Sequence, residues 1–204
     1  MIAYRKMVLF ALVFFITACP HYTMVEPGKR DIGNSYRVQP QTAWSMSTLG
    51  KVEIWTVDGP TLEAVHFFKG IADGETLLPT IYGRHQPDPK VKLPQFRKDM
   101  NPNEVMEFIV DSMTTSGLRS PIGPNMKGVN IQPSYLRPFK FGNQPGYRFE
   151  FSYISDQGLE YKGLAAGTIK DGKLYLICYT GTKEYYYFKY RQQVDDIISS
   201  IEMP

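Results

Sequence analysis

Residues 129–179 form a series of short alternating segments that are separated by turn-forming residues. Alternation of apolar and polar side chains is typical of β-strands, because successive side chains point to opposite faces of a sheet. Asp171-Gly172 is the strongest turn signal, since a two-residue hairpin needs positive φ angles at both positions. The pattern predicts successive antiparallel strands at Val129–Gln132, Leu136–Phe141, Gly146–Ser155, Leu159–Lys170 and Lys173–Tyr179.

The region before this meander contains further strand signals. Residues 36–47 carry large apolar side chains and predict a strand that is interrupted at Pro40. A hairpin is predicted from Val52–Val57 and Leu62–Lys69, which flank the turn sequence Asp58-Gly59-Pro60. These strands extend the antiparallel sheet toward the N-terminus.

Two helices are predicted to pack on this sheet. Asn101 and Glu104 have capping-box spacing, and an apolar stripe follows them, which predicts a helix over residues 101–117. A C-terminal helix is predicted over residues 184–202, where Asp195 lies on the polar side and apolar residues recur with helical spacing. The order of elements predicts an α+β fold with a central antiparallel sheet.

The N-terminus has the parts of a secretory signal. Arg5 and Lys6 precede the apolar run Met7–Ile16, which is shorter than the about 20 residues that a membrane span needs. An uncleaved N-terminal anchor and an ordinary signal peptide are alternative interpretations. The sequence Ile16-Thr17-Ala18-Cys19 resembles the lipobox of bacterial lipoproteins, with Ile in place of the usual Leu.

That resemblance implies that residues 1–18 are removed and that Cys19 carries a diacylglycerol and usually an N-acyl chain. Two or more acyl chains give durable membrane attachment, whereas a single chain is marginal. Pro20 stands where enteric lipoproteins of the inner membrane have Asp, which in a cell with two membranes implies the outer membrane, facing the periplasm. Residues 19–35 are interpreted as the lipidated cysteine and a flexible tether, and residues 36–204 as a single domain.

Charge and cysteine content narrow the function classes. Without Arg5 and Lys6 the formal net charge falls from +3 to +1, so nothing favours binding of nucleic acid. With Cys19 acylated, Cys178 has no partner for a disulfide. Because it lies within the apolar run Leu174–Tyr179, Cys178 is predicted to be a buried thiol.

The second half of the chain resembles Mog1/PsbP-like domains. The resemblance covers about residues 129–202, and it rests on Gly146–Tyr153, Tyr161–Gly167, the Asp171-Gly172 hairpin and the closing helix. Members of that fold class are mostly binding or assembly factors. The resemblance therefore implies a non-catalytic module and transfers no site residue.

The sequence shows no recognisable catalytic or cofactor motif. His21, His66 and His85 are far apart, and no pair has the spacing of metal ligands. Glu63 and His66 are predicted to point to opposite faces of one strand, which weakens them as a catalytic dyad. No catalytic, cofactor-binding or metal-binding residue is therefore predicted.

The function predicted from the sequence is a membrane-anchored envelope lipoprotein that binds a protein partner without catalysis. Membrane attachment is assigned to the lipid on Cys19. The predicted binding surface consists of the loops at residues 82–98 and 119–128 with two tryptophans, and its named residues are Trp44, Trp55, Arg84, His85 and Arg119.

Two alternatives remain open at this point. A small-ligand or lipid carrier would use aromatic residues such as Tyr147, Phe149 and Tyr187 to line an apolar pocket of a few hundred Å³. An envelope hydrolase would need a cluster of histidines or carboxylates, with perturbed pKa values, in a cleft.

Overall fold

A computed structural model of the protein describes residues 22–77, 92–115 and 129–204. It confirms the predicted α+β fold: within these residues an eight-stranded antiparallel sheet carries one helix on each face. The strands are β1 (Thr23–Val25), β2 (Arg30–Ile32), β3 (Tyr36–Val38), β4 (Trp44–Leu49), β5 (Val52–Thr56), β6 (Glu63–Ala72), β7 (Gln132–Phe141), β8 (Gln144–Ile154), β9 (Glu160–Lys170) and β10 (Lys173–Thr182). The helices are α1 (Pro102–Thr115) and α2 (Tyr186–Ser199).

The sheet has the strand order β1-β4-β5-β6-β10-β9-β8-β7, and β2 and β3 form a separate hairpin beside it. The pairing of β6 with β10 joins the early hairpin to the C-terminal meander. This contact bridges more than a hundred residues of sequence, for example between Glu63 and Gly181. The last strand, β10, therefore lies in the middle of the sheet. The strands of the N-terminal half lie on one side of it, and the other strands of the C-terminal meander lie on the other side.

The local signals in the sequence are confirmed where the structure describes them. Asp171 and Gly172 have φ angles of 50° and 71°, and they connect the paired residues Lys170 and Lys173. The predicted break at Pro133-Ser134 is instead a bulge inside β7, where the register with β8 shifts and Tyr135 adopts a φ of 56°.

The start of α1 is fixed by the predicted capping box. The Asn101 side-chain oxygen accepts hydrogen bonds from the backbone N–H groups of Asn103 and Glu104 at 2.9 and 3.2 Å. The Glu104 carboxylate accepts a hydrogen bond from the backbone N–H of Asn101 at 2.8 Å. These contacts satisfy N–H groups that have no partner within the helix.

The tether prediction is wrong for residues 23–32. Thr23 pairs with Met46 and Val25 pairs with Trp44, so β1 belongs to the sheet. Val25 is buried, and Ile32 of β2 is buried as well. Strands of three residues are too short to show an alternating pattern, and the glycines and prolines around them gave the sequence the character of a loop.

The sheet separates two hydrophobic clusters, and each is named after its helix. The α1 face packs Val105, Phe108 and Ile109 of α1 on the aromatic residues of β8. The α2 face packs Val194 and Ile197 of α2 on β5, β6, β9 and β10. Side chains of one strand alternate between the two clusters, which is why the central strands are buried on both sides.

Candidate functional site

The two tryptophans of the predicted binding surface are buried. Trp44 and Trp55 lie on the α2 face and retain only 2% and 0% of their exposure. The Trp55 ring lies 4.3 Å from that of Phe67, and the Trp44 ring lies 5.8 Å from that of Tyr190, measured between ring centroids. Their assignment to a surface is therefore wrong, because strand alternation turns both rings inward.

The other predicted residues lie outside the part of the chain that the structure describes. Arg84, His85 and Arg119 belong to this group, as does Cys19 with the signal segment that precedes it. The loop surface and the lipid attachment therefore stay predictions.

Exposed apolar side chains are concentrated at one end of the sheet. Among the described residues, eight large hydrophobic side chains are exposed, and five of them lie at this end. We call these five residues the end patch: Val57, Ile154, Leu159, Tyr185 and Phe188. The remaining three are Tyr22 and Met24 at the β1 edge and Tyr135 at the β7 bulge.

Sheet topology brings the end patch together. Val57 follows β5, Ile154 ends β8, and Leu159 belongs to the turn before β9. Tyr185 directly precedes α2, and Phe188 lies in the first turn of that helix. The strands concerned are neighbours in the sheet, and four steps of about 4.8 Å give the patch a width of roughly 20 Å.

Charges of both signs surround the end patch. The Lys162 ammonium lies 5.2 Å from the Phe188 ring centroid, and Lys162 forms no ion pair with another described residue. The Lys189 ammonium lies 5.4 Å from the Tyr185 ring and 2.7 Å from the Asp58 carboxylate. Lys183 is paired with Glu160. The rim is thus mixed in charge, which suits a protein surface better than a polyanion.

Two carboxylates hold the β5–β6 turn against α2. The buried Glu63 carboxylate accepts hydrogen bonds from the Thr56 hydroxyl at 2.7 Å and from the backbone N–H groups of Val57 and Asp58 at 2.6 and 3.0 Å. Burial raises the pKa of Glu63 to about 6, although these donors oppose the shift. Asp58 in turn accepts a hydrogen bond from Tyr190 of α2 at 2.5 Å.

Asp58 stays ionised as the link to α2. Hydrogen bonds from Lys189 and then Tyr190 lower the pKa of Asp58. Glu63 therefore orders the turn, and Asp58 fastens the turn to the helix that carries Phe188. The backbone beneath the end patch is positioned by these directional contacts.

A second ion cluster fixes α2 over β8. The Arg148 guanidinium lies 2.5 Å from the Asp195 carboxylate, and Arg191 lies 3.0 Å from Asp195 and 3.1 Å from Glu150. Arg191 also donates a hydrogen bond to the Tyr187 hydroxyl. Asp195 was predicted to face solvent, and this is corrected: its carboxylate bridges two arginines, one of them buried.

A histidine and a cysteine lie side by side on the α1 face, but their chemistry is that of a packed core. His66 of β6 pairs with Cys178 of β10. Burial lowers the pKa of His66 to about 4 and raises the pKa of the Cys178 thiol to about 12. Both groups are therefore neutral near pH 7, whereas a Cys–His nucleophile needs a thiolate. The predicted burial of Cys178 is confirmed.

The aromatic residues that were predicted to line a carrier pocket lie on opposite faces of the sheet. Tyr147 and Phe149 belong to the α1 face, and Tyr187 belongs to the α2 face. They line no common cavity, so this assignment is wrong. A cleft of about 450 Å³ does open at the β7 bulge, and Phe149 lines it together with Tyr135, Leu136 and the charged residues Arg137, Arg148 and Glu150. Half of the lining residues are charged, whereas a carrier pocket is predominantly apolar.

The described residues contain neither a metal-binding cluster nor a membrane-spanning helix. In residues 22–77, 92–115 and 129–204, no three histidine, cysteine or carboxylate side chains are grouped so that they could hold a metal ion. No helix in the same ranges is long and apolar enough to span a membrane.

Comparison with known proteins places the fold in a defined class. No family model and no curated protein matches the sequence. The chain is similar to the solution structure of cyanobacterial PsbP (CyanoP) from Synechocystis sp. PCC 6803, with a TM-score of 0.54 and 11% identity over 93% of this chain and 96% of that chain. The protein therefore has a PsbP-like fold, which confirms the fold that its second half resembles.

A second solved structure is similar at a lower level. LpqN, described as involved in cell envelope biogenesis of Mycobacterium tuberculosis, matches with a TM-score of 0.36 and 10% identity over 93% of this chain and 88% of that chain. This likeness adds nothing to the assignment of the fold. At such identities neither structure transfers a function or a site residue.

Proposed function

We propose that the protein is a lipid-anchored module of the bacterial cell envelope that binds a protein partner through the end patch. One observation carries the proposal: five of the eight exposed large hydrophobic side chains of the described residues lie together at one end of the sheet. Exposed apolar side chains that are grouped within a polar rim are typical of protein–protein interaction sites, whereas single scattered ones are not.

The composition of the end patch favours a protein over other ligands. Tyr185 and Phe188 are aromatic, and aromatic residues are enriched at the centres of protein interfaces. Lysines and carboxylates alternate around them, so a partner needs charges of both signs. Because Glu63 and Asp58 hold the underlying turn, the patch meets a partner in a preformed arrangement, which limits the entropy lost on binding.

The anchoring part of the proposal rests on the lipobox-like sequence at Ile16–Cys19. With Cys19 acylated, the domain faces the periplasm from the outer membrane. The proposal assigns no catalytic step and no cofactor to the protein. Its role is to hold a partner near the membrane.

Photo-crosslinking in cells tests the binding surface. A photoreactive phenylalanine analogue replaces Phe188, which is 60% exposed, and in a matched control it replaces Tyr135, which is 78% exposed at the bulge of the edge strand β7 and lies outside the end patch. The proposal predicts a discrete crosslinked envelope protein from position 188 and not from position 135. The same pattern from both positions, or no product from position 188, would contradict it.

A further inference from the structure

The pairing of β1 limits how far the domain can stand from a membrane to which Cys19 is attached. Thr23 is held beside Met46, and Val25 is buried on the α2 face. A chain spans at most about 3.6 Å per residue, so Cys19 lies within roughly 14 Å of Thr23. A flexible tether through residue 35 would have reached about 20–24 Å.

Apolar side chains are exposed where the short connection from Cys19 reaches β1. Tyr22, which directly precedes β1, is 36% exposed, and Met24 within β1 is 69% exposed. Met24 alternates with the buried Val25 and therefore points away from the α2 face. β1 is the first strand of the sheet and pairs only with β4 among the described strands. Its other edge presents backbone N–H and C=O groups that need polar partners.

This combination matches the headgroup layer of a bilayer. Tyrosine is enriched at that level because its ring is apolar and its hydroxyl is polar. Unpaired backbone groups find hydrogen-bond partners among headgroups and water, whereas the hydrocarbon core offers none. The β1 edge therefore suits shallow contact with the membrane surface and not insertion into the core.

We propose that the β1 edge, with Tyr22 and Met24, lies in the headgroup layer of the membrane to which Cys19 is attached. The inference rests on the lipid attachment proposed above and adds the orientation of the domain. Two strand steps separate β1 from β5, so Val57 stands about 10 Å from the edge, and six steps place Ile154 about 29 Å away. The end patch then meets only partners that are themselves close to the bilayer.

Fluorescence quenching tests this orientation on the full lipidated protein. Bimane is attached to Met24→Cys, and in a matched control to Ile154→Cys, which is 57% exposed at the far side of the sheet. The buried Cys178, with its raised pKa, does not compete for the label. The proteins are reconstituted into vesicles of phosphatidylethanolamine and phosphatidylglycerol that contain a lipid with a quencher on its headgroup.

We expect bimane at position 24 to lose most of its fluorescence and bimane at position 154 to keep it. A Gly/Ser insertion of about 12 residues after Pro20 should restore the fluorescence at position 24 while the protein stays bound, because the reach of the tether rises to the length of a flexible coil. Tyr22→Cys provides a second labelling position on the same edge if Met24→Cys does not fold.

The outcomes separate this inference from the proposed function. Mass spectrometry of the purified protein first establishes whether Cys19 carries its acyl chains. Equal fluorescence at positions 24 and 154 in acylated protein would overturn the membrane contact of β1 and leave the binding function of the end patch intact. An unmodified Cys19 would overturn the anchoring, and with it the orientation.

Discussion

The two faces of the sheet are held to their helices by different kinds of contact. The α1 face buries aromatic and aliphatic side chains beneath Val105, Phe108 and Ile109. The α2 face buries a comparable apolar cluster but also encloses the charged groups of Glu53, Glu63 and Arg148. Apolar packing is non-directional, whereas hydrogen bonds and ion pairs fix orientation.

The difference follows from what each helix carries. α1 buries the hydrophobic cluster of its face and contributes no residue to the end patch. α2 begins beside Tyr185 and contains Phe188, so its position decides the shape of the end patch. Asp58 and Asp195 fasten this helix at two points, to the β5–β6 turn and to β8. The face with the directional contacts is therefore the face that supports the candidate binding surface.

The largest expected effect is on apolar packing and is the same for both faces. Phe149→Ala on the α1 face and Phe67→Ala on the α2 face each remove a fully buried ring. Each should lower the free energy of unfolding by about 3–5 kcal/mol, through lost transfer energy and the cavity that remains. Urea denaturation measures both losses. A loss below about 1 kcal/mol for either variant would show that its face is not tightly packed.

Neutralising a buried charge should destabilise the α2 face, where the buried charged groups lie. Glu53, which is 5% exposed, lies 3.0 Å from the Lys69 ammonium and accepts a hydrogen bond from Trp55. Glu53→Gln leaves Lys69 without its carboxylate, and we expect a loss of roughly 3 kcal/mol in the free energy of unfolding.

The matched control for this variant removes both partners of the ion pair. Glu53→Gln combined with Lys69→Met should recover part of the stability, because Lys69, the more buried of the two cations beside Glu53, is then no longer left as an unpaired charge. Arg30, whose guanidinium lies 3.7 Å from Glu53 and is about one-third exposed, still loses its partner in the double variant. Urea denaturation of the single and double variants gives the coupling energy. Additive losses in the double variant would contradict a direct interaction between the two side chains.

One titratable group on each face should make the free energy of unfolding depend on pH, and the two dependences should have opposite signs. The pKa of Glu63 is raised to about 6 in the folded protein, above an unfolded value near 4.5. The folded state therefore binds this proton more tightly, and about 2 kcal/mol of stability is lost as the pH rises from below 4.5 to above 6. Relative to the wild type, Glu63→Gln should be about 2 kcal/mol more favourable near pH 7.5 than near pH 4.

His66 on the α1 face behaves in the opposite way. Its pKa falls to about 4 in the folded protein from about 6.5, so the unfolded state binds the proton more tightly. Stability is then complete above pH 6.5 and decreases as the pH falls toward 4, by at most about 3 kcal/mol for this partly exposed ring. Denaturation of His66→Gln across the same pH range measures the difference. A pH profile parallel to that of Glu63→Gln would contradict the assignment.

The smallest expected effect on stability belongs to the end patch. Phe188→Ala removes a ring that is largely in solvent, so the free energy of unfolding should change by no more than about 0.5 kcal/mol. Crosslinking to the partner, with the photoreactive residue then at position 185, should nevertheless be lost. If Phe188→Ala lowered the free energy of unfolding substantially and still crosslinked to the partner, Phe188 would be a core residue and not part of the binding surface.

Local elements of the fold follow from short stretches of sequence. The Asp171-Gly172 turn and the Asn101–Glu104 capping box act over a few residues, and both are confirmed. The bulge at Tyr135 was predicted as a break because Pro133 and Ser134 are turn formers. Such signals show where the chain is interrupted but not whether the sheet continues beyond.

The end patch could not be predicted in this way. Its members extend from Val57 to Phe188, and only the long-range pairing of β6 with β10 makes them neighbours. Trp44 and Trp55 show the opposite error. They were predicted to lie on a binding surface, but their strands turn both side chains into the core. Whether these particular side chains are exposed depends on the tertiary arrangement, and no local stretch of the sequence shows that they lie at the same end of the sheet.

A crosslinking scan over the exposed hydrophobic positions tests whether the end patch binds a protein partner. The photoreactive residue is placed in turn at each member of the end patch and at Tyr135, in cells that produce the full-length protein. We expect one and the same partner from positions 57, 154, 159, 185 and 188, and no such product from position 135. Crosslinks that favour position 135, or that are scattered without regard to the patch, would contradict it.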